Sequence, residues 1–223
     1  METKAVSCKW VANLSILLII IFFCFLSVDL VNAGIGDPSL RVSTFVTPSE
    51  IERGGSGKLK VTVSEVGGVD WAMDVTVTPS ISPLDGCTIS PSLEHTSRIG
   101  ASSYTTFYFT IYASKDATLG SRSVTTRVKY YDTGWLDEGR YGPYHSHSNT
   151  EILVKKGHGS IRISSIPSGA KVYIDGEYNG KTPVSLLNRV IEGSHTIKLE
   201  KTGYNDITKT ISVSVERTSS VSE

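Results

Sequence analysis

"AKVYIDGEYNGKTP" (residues 170–183) carries two glycines followed by Lys181 and Thr182, and the way it is read decides the fold of the second half of the chain. A phosphate-binding loop needs G-x-x-x-x-G-K-[ST] between a strand and a helix, so that loop amides and a helix N-terminus converge on one anion. Here three residues separate Gly176 from Gly180, one too few, and Pro183 follows Thr182 directly. The next stretch, "VSLLNRVIEGSHTIKLE" (184–200), has β-branched residues and a glycine before an alternating end, which argues against a helix. "AKVYID" also alternates, placing Val172 and Ile174 on one face and Lys171 and Tyr173 on the other. Asp175-Gly176 then has the composition of a two-residue hairpin turn, and Asn179-Gly180 repeats that chemistry. The stretch reads as a β-hairpin with Lys181 and Thr182 on its surface.

Working outward, Ile161 and Ile163, Ile197 and Leu199, then Ile211, Val213 and Val215 repeat the alternation, enough for one small core. "GSIRISSIPSGAKVYIDGEYNGKTPVSLLNRVIEGSHTIKLEKTGYNDITKTISVSV" (159–215) closely resembles a PEGA domain. The name-giving motif stands as Pro167, Ser168, Gly169 and Ala170, with Ser168 in place of glutamate. Asp175 and Gly176, Gly180 and Pro183, and the turn at Gly203 and Tyr204 match the same pattern as structural positions. The resemblance implies an extracytoplasmic module common in surface and envelope proteins, often in tandem with other β modules. It implies no reaction.

The first half reads as a series of strands separated by turn residues. "KLKVTVSEV" alternates Leu59, Val61 and Val63 against Lys58, Lys60 and Thr62, and "TTFYFTIYA" sets Phe107, Phe109 and Ile111 on one side. "WAMDVTVTP" places Trp71, Met73, Val75 and Val77 together, and "SVTTRVKYY" does so with Val124, Val128 and Tyr130. With "LRVSTFV" and "NTEILVKK" at the ends, about seven short strands fit an immunoglobulin-like sandwich without the antibody cysteine pair. "VTPSEIERGGSGKLKVTV" (46–63) and "DATLGSRSVTTRVKYYDTG" (116–134) resemble adhesion-type Ig-like modules of archaeal surface-layer-associated proteins. The expected fold class is all-β, two tandem β-sandwich domains after an N-terminal signal peptide.

That signal has Lys4 and Lys9 before the apolar "LSILLIIIFFCFL" (14–26) and a small-residue cleavage site at Val31-Asn32-Ala33. Cleaved or retained as an anchor, it puts the rest of the chain outside the cytoplasm, secreted or associated with the cell surface or envelope. The expected organisation is a signal peptide over 1–33, an Ig-like domain over 34–155, a linker over 156–158, a PEGA domain over 159–215 and a disordered tail over 216–223. The glycines of "VKKGHGS" (154–160) suggest freedom between the domains. Cys8 and Cys24 lie in the signal, leaving Cys87 alone, so no disulfide staples either domain. Formal net charge is zero with scattered basic residues, which speaks against a nucleic-acid partner.

No H-E-x-x-H motif, calcium loop or nucleophile elbow occurs, and "GGSGK" (54–58) reads as a hairpin loop. Asp137 and Glu138 are adjacent loop carboxylates with no fixed partner. His145 and His147 could share a strand face near His158, yet no carboxylate or cysteine lies at a metal-binding spacing. No catalytic residue, cofactor or metal is expected. The candidate binding loop is "DTGWLDEGRYGPYHSHS" (132–148), where Trp135, Arg140, Tyr141 and Tyr144 offer flat faces and polar tips. The competing reading extends the flanking strands and folds these aromatics against the sandwich end. The expected function is an exported, non-catalytic surface or envelope protein with a structural or adhesive role, its partner an envelope protein or polysaccharide. The alternative is a secreted carbohydrate-binding module using the aromatic loop.

Overall fold

The computed structural model describes residues 37–68, 70–132 and 140–223. The expected signal peptide over 1–33, Asp137, Glu138 and Trp135 lie outside the described residues. In the first half the strands are β1 (Leu40–Thr47), β2 (Glu50–Glu52), β3 (Ser56–Glu65), β4 (Ala72–Ser82), β5 (Cys87–Ser90), β6 (Glu94–Ile99), β7 (Tyr104–Ala113), β8 (Gly120–Asp132) and β9 (Tyr141–Lys155). One sheet has the order β1-β3-β7-β5 and the other β2-β9-β8-β4-β6. Alternate side chains from both sheets, including Leu59, Val61, Phe109, Ile111, Val124 and Val128, bury into one core. This is a β-sandwich, as the alternation predicts, with β2 running parallel to the end of β9.

Two local readings need correction. Trp71 does not share the core face with Val75 and Val77, because it is 47% exposed while Ala72 beside it is fully buried. The β4–β8 register shifts between Met73 and Thr76, and Asp74 takes a φ of 48°. This bulge inserts one residue and reverses the phase of everything before it. Residues 141–148, expected inside a loop, belong to β9 and pair with β8 back to Tyr141 opposite Asp132.

The second half forms β10 (His158–Ser164), β11 (Lys171–Ile174), β12 (Glu177–Lys181), β13 (Val184–Ile191), β14 (Gly193–Glu200), β15 (Ile207–Val213) and β16 (Thr218–Ser222). Two sheets, β13-β10-β16 and β12-β11-β14-β15, enclose a core built on Ile161, Ile163, Val172, Ile197 and Leu199. Asp175 and Gly176 both take positive φ, 52° and 88°, in a two-residue turn that sets Ile174 opposite Glu177. Thr182 is not a surface residue: it is buried, its hydroxyl accepts the Ala170 amide at 3.0 Å, and it lies 2.6 Å from the Ser165 hydroxyl. It thereby pins the Pro167–Ala170 turn, where Gly169 donates to the Thr182 carbonyl at 2.8 Å. The expected disordered tail is also corrected, since β16 pairs in parallel with β10 and buries Val221. Pairing along the β10 edge, the buried Val221 and the Lys209–Glu223 ion pair hold it in place.

The described residues belong to one compact unit. Only Lys156 and Gly157 separate β9 from β10, and Gly157 gives contact rather than freedom. A Cβ there would lie 2.6 Å from the Arg53 carbonyl oxygen and 2.9 Å from Val215. Arg53 ion-pairs with Glu192 at 3.0 Å, Glu192 accepts the Gly157 amide at 3.2 Å, and Glu52 lies 2.8 Å from His158.

Candidate binding surface

The four strands β1, β3, β7 and β5 bury one face and turn the other to solvent. Because side chains alternate, the sequence "YTTFYFTIYA" that buries Phe107, Phe109 and Ile111 must expose Tyr104, Tyr108 and Tyr112. These three tyrosines are 69%, 60% and 49% exposed, and Phe45 on β1 is 65% exposed. Successive tyrosines stand four residues apart, or about 13 Å along the strand. Across the sheet, Phe45 lies opposite Lys60 and Lys60 opposite Tyr108, so the two rings flank the lysine at about 10 Å from each other.

The remaining outward positions define the face chemically. Arg41, Lys58 and Lys60 are its charges, and all three are exposed. Every other outward residue on these strands is serine or threonine, as in Thr62 and Thr106, whose hydroxyls meet across the ladder at 3.4 Å. No carboxylate faces outward from them, in a chain whose formal net charge is zero. Exposed rings, cations and hydroxyls on one face of a sheet make a recognition surface. In the sequence the Phe107–Ile111 half of this alternation marks the core. The complementary signal, tyrosine at positions 104, 108 and 112, was present in the same strand.

The loop residues are placed differently. Arg140 pairs with Asp74 at 2.7 Å and stacks over the Tyr131 ring at 3.6 Å. Tyr144 packs against the core with its ring 5.6 Å from that of Tyr130, and burial, with Asp37 and Asp132 nearby, pushes its hydroxyl pKa up. Tyr141 is 45% exposed at the start of β9. The described members of the loop thus line the sandwich end, where Arg98 also covers Trp71 at 4.5 Å.

His145 stands opposite Lys129 and His147 opposite Arg127, cationic neighbours that disfavour a bound cation. His158 is engaged by Glu52. Among the described residues no group of three or more His, Cys, Asp or Glu is arranged to hold a metal. Burial pushes the Cys87 thiol pKa up, outweighing the nearby Arg122 guanidinium. Two open grooves of about 450 and 480 Å³ lie at the Arg53–Glu192 junction and beside Lys171, Lys181 and Lys201. Neither is lined by a histidine or cysteine.

Residues 158–223 match the model of the PEGA domain family. No curated protein matches the chain. Among solved structures, the chain is similar to the major pilin subunit of Bacillus cereus, at 7% identity and a TM-score of 0.35 over 83% of this chain and 70% of that one. It is also similar to Escherichia coli alpha-2-macroglobulin from domain MG7 to the C-terminus, at 13% identity and a TM-score of 0.42, covering 63% of this chain and 19% of that one. Domains 4 and 5 of the S-layer protein SbsC align at 18% identity and a TM-score of 0.25 over 53% of this chain and 52% of theirs. A PEGA domain behind an all-β half fits a surface or structural protein. Residues 158–223 are a PEGA domain, and the β-sandwich that precedes it is consistent with an Ig-like domain.

Proposed function

We propose that this chain is an exported, non-catalytic protein of the cell surface or envelope, with an adhesive or structural role exerted through the outward face of the β1-β3-β7-β5 sheet. The observation that carries the reading is the coexistence of four exposed rings, Phe45, Tyr104, Tyr108 and Tyr112, on one face of the sheet. Leaving that much aromatic surface in water has no folding benefit, so it is explained by a partner that covers it. The ionisable groups support a non-catalytic role. Glu65, which with Asp132 is one of two deeply buried carboxylates among the described residues, accepts four backbone amides and so serves the fold, and burial pushes the pKa of the Cys87 thiol up. A partner such as an envelope protein or polysaccharide would bind this face directly, without a cofactor.

The test is fractionation of the producing cells with wild-type protein and Tyr108→Ala. Wild-type protein should be recovered with the envelope and released by mild dissociating conditions, and the variant should shift to the medium at unchanged thermal stability. Equal retention of both would count against this face as the attachment surface.

A further inference from the structure

We infer that the tyrosine face binds an acidic polysaccharide, a linear chain of uronate or sulfated sugars laid across the strands over Phe45, Lys60 and Tyr108. The inference rests on the reading of this face as the binding surface and adds the chemical class of the ligand.

Three features select that class. The first is charge: Arg41, Lys58 and Lys60 face outward with no carboxylate among the outward positions of the four strands. A face of one sign attracts the opposite sign and repels its own. The second is the spacing of the rings. A protein partner is anchored by a contiguous apolar centre packed into a pocket. Here each ring is separated from the next by a lysine, serine or threonine, at about 10 Å across the sheet and about 13 Å along it. Separated flat rings suit a ligand that offers a flat apolar patch at intervals, as the C–H faces of successive pyranose rings do. The third is the background of serine and threonine hydroxyls, which are donors and acceptors for the sugar hydroxyls between the stacked rings. In the row Phe45–Lys60–Tyr108 the cation sits between two platforms, so one acidic sugar at Lys60 would lie between two stacked neighbours.

The experiment is affinity electrophoresis of the purified protein through gels containing polygalacturonate, dextran or poly-L-glutamate, with Tyr108→Ala and Lys60→Gln alongside. All the substituted side chains point to solvent, and thermal melting confirms that the variants fold. Retardation by polygalacturonate that is weakened roughly tenfold in each variant supports the inference. Raised salt should reduce but not abolish it, because stacking persists when charge is screened. Equal retardation by poly-L-glutamate would mean that charge alone is read, and overturns it. Equal retardation by dextran with no effect of Lys60→Gln overturns the acidic class. Concentration-dependent self-association abolished by Tyr108→Ala would make a second copy the occupant and also overturns it. No retardation by any gel overturns the ligand class alone if Tyr108→Ala still releases the protein from the envelope.

Discussion

His195 and Asp175 are joined through Nδ1 and Oδ2 at 2.6 Å, and the other ring nitrogen of His195 lies 2.7 Å from the Ile191 carbonyl oxygen. Both partners are acceptors, so both bonds require the doubly protonated imidazolium. Burial works against that charge, but the bonds to Asp175 and Ile191 outweigh it and raise the His195 pKa. The Thr196 amide, followed by His195, lowers the pKa of Asp175. A raised histidine contributes stability that is fully present below about pH 6.5 and lost as pH rises through its folded value. A lowered carboxylate contributes stability present above about pH 3.9 and lost as pH falls through its folded value. The hairpin of β11 and β12 should therefore be held most firmly to β14 in mildly acidic solution. His195→Gln should remove most of the loss of melting temperature between pH 6 and 8, an effect worth about 1 kcal/mol or less for a pair whose carboxylate is half exposed. A wild-type melting temperature that is flat across that range would contradict this account.

Glu65 ties three chain segments together. Its carboxylate accepts amides from Ser39 at 3.2 Å, Gly67 at 2.6 Å, Gly68 at 2.9 Å and Ser102 at 2.9 Å. Burial raises its pKa, yet the four amides outweigh burial and the net direction is down. Its stability contribution is present above the ordinary carboxylate range and disappears as pH falls through the lowered folded value. Glu65→Gln offers one acceptor oxygen and turns an NH2 toward donors, so a loss of about 3 kcal/mol is expected in urea unfolding at pH 7. The difference from wild type should narrow as the wild-type carboxylate becomes protonated.

The sequence made the strands legible because the core is patterned with period two. Val172 and Ile174, Leu59 and Val61, and Phe107 and Phe109 alternate without interruption, so face and register follow directly. Trp71 escaped that logic because one bulged residue at Asp74 inverts the pattern, and nothing in "WAMDV" announces a positive φ. Thr182 was misplaced because a buried hydroxyl looks like a surface one until its acceptor role toward Ala170 is seen. The binding face lay in plain sequence at Tyr104, Tyr108 and Tyr112. Its coherence, however, needs β1 and β3 alongside β7, which is a matter of pairing between distant segments.

Thr182 gives a separable test of the PEGA-motif turn. Thr182→Val keeps the volume and removes the acceptor, leaving the buried Ala170 amide without its side-chain partner. The expected cost is about 1–3 kcal/mol. Thr182→Ser retains the hydroxyl and should recover most of it, apart from the lost methyl contact. If Val and Ser variants unfold at the same urea concentration, the hydroxyl is not what holds Pro167–Ala170 in place.

Gly157 and Gly176 should both resist replacement by alanine, for different reasons. At Gly176 a Cβ would meet nothing within 4 Å, but φ is 88°, so Gly176→Ala costs only the left-handed strain of about 1 kcal/mol. Gly157 is not held at a left-handed φ, and its Cβ would press on the Arg53 carbonyl at 2.6 Å and on Val215. Those groups belong to opposite sides of the junction, so Gly157→Ala must push them apart. Hydrogen exchange should then accelerate at the Arg53 amide, which bonds to the Lys155 carbonyl at 3.0 Å, and at the Glu192 amide, which bonds to the Gly157 carbonyl at 2.9 Å. Gly176→Ala should leave both amides unchanged while loosening the turn between β11 and β12. Unchanged exchange at Arg53 and Glu192 in Gly157→Ala would mean that the junction accommodates the methyl group and that close approach at residue 157 is not what holds the two domains together.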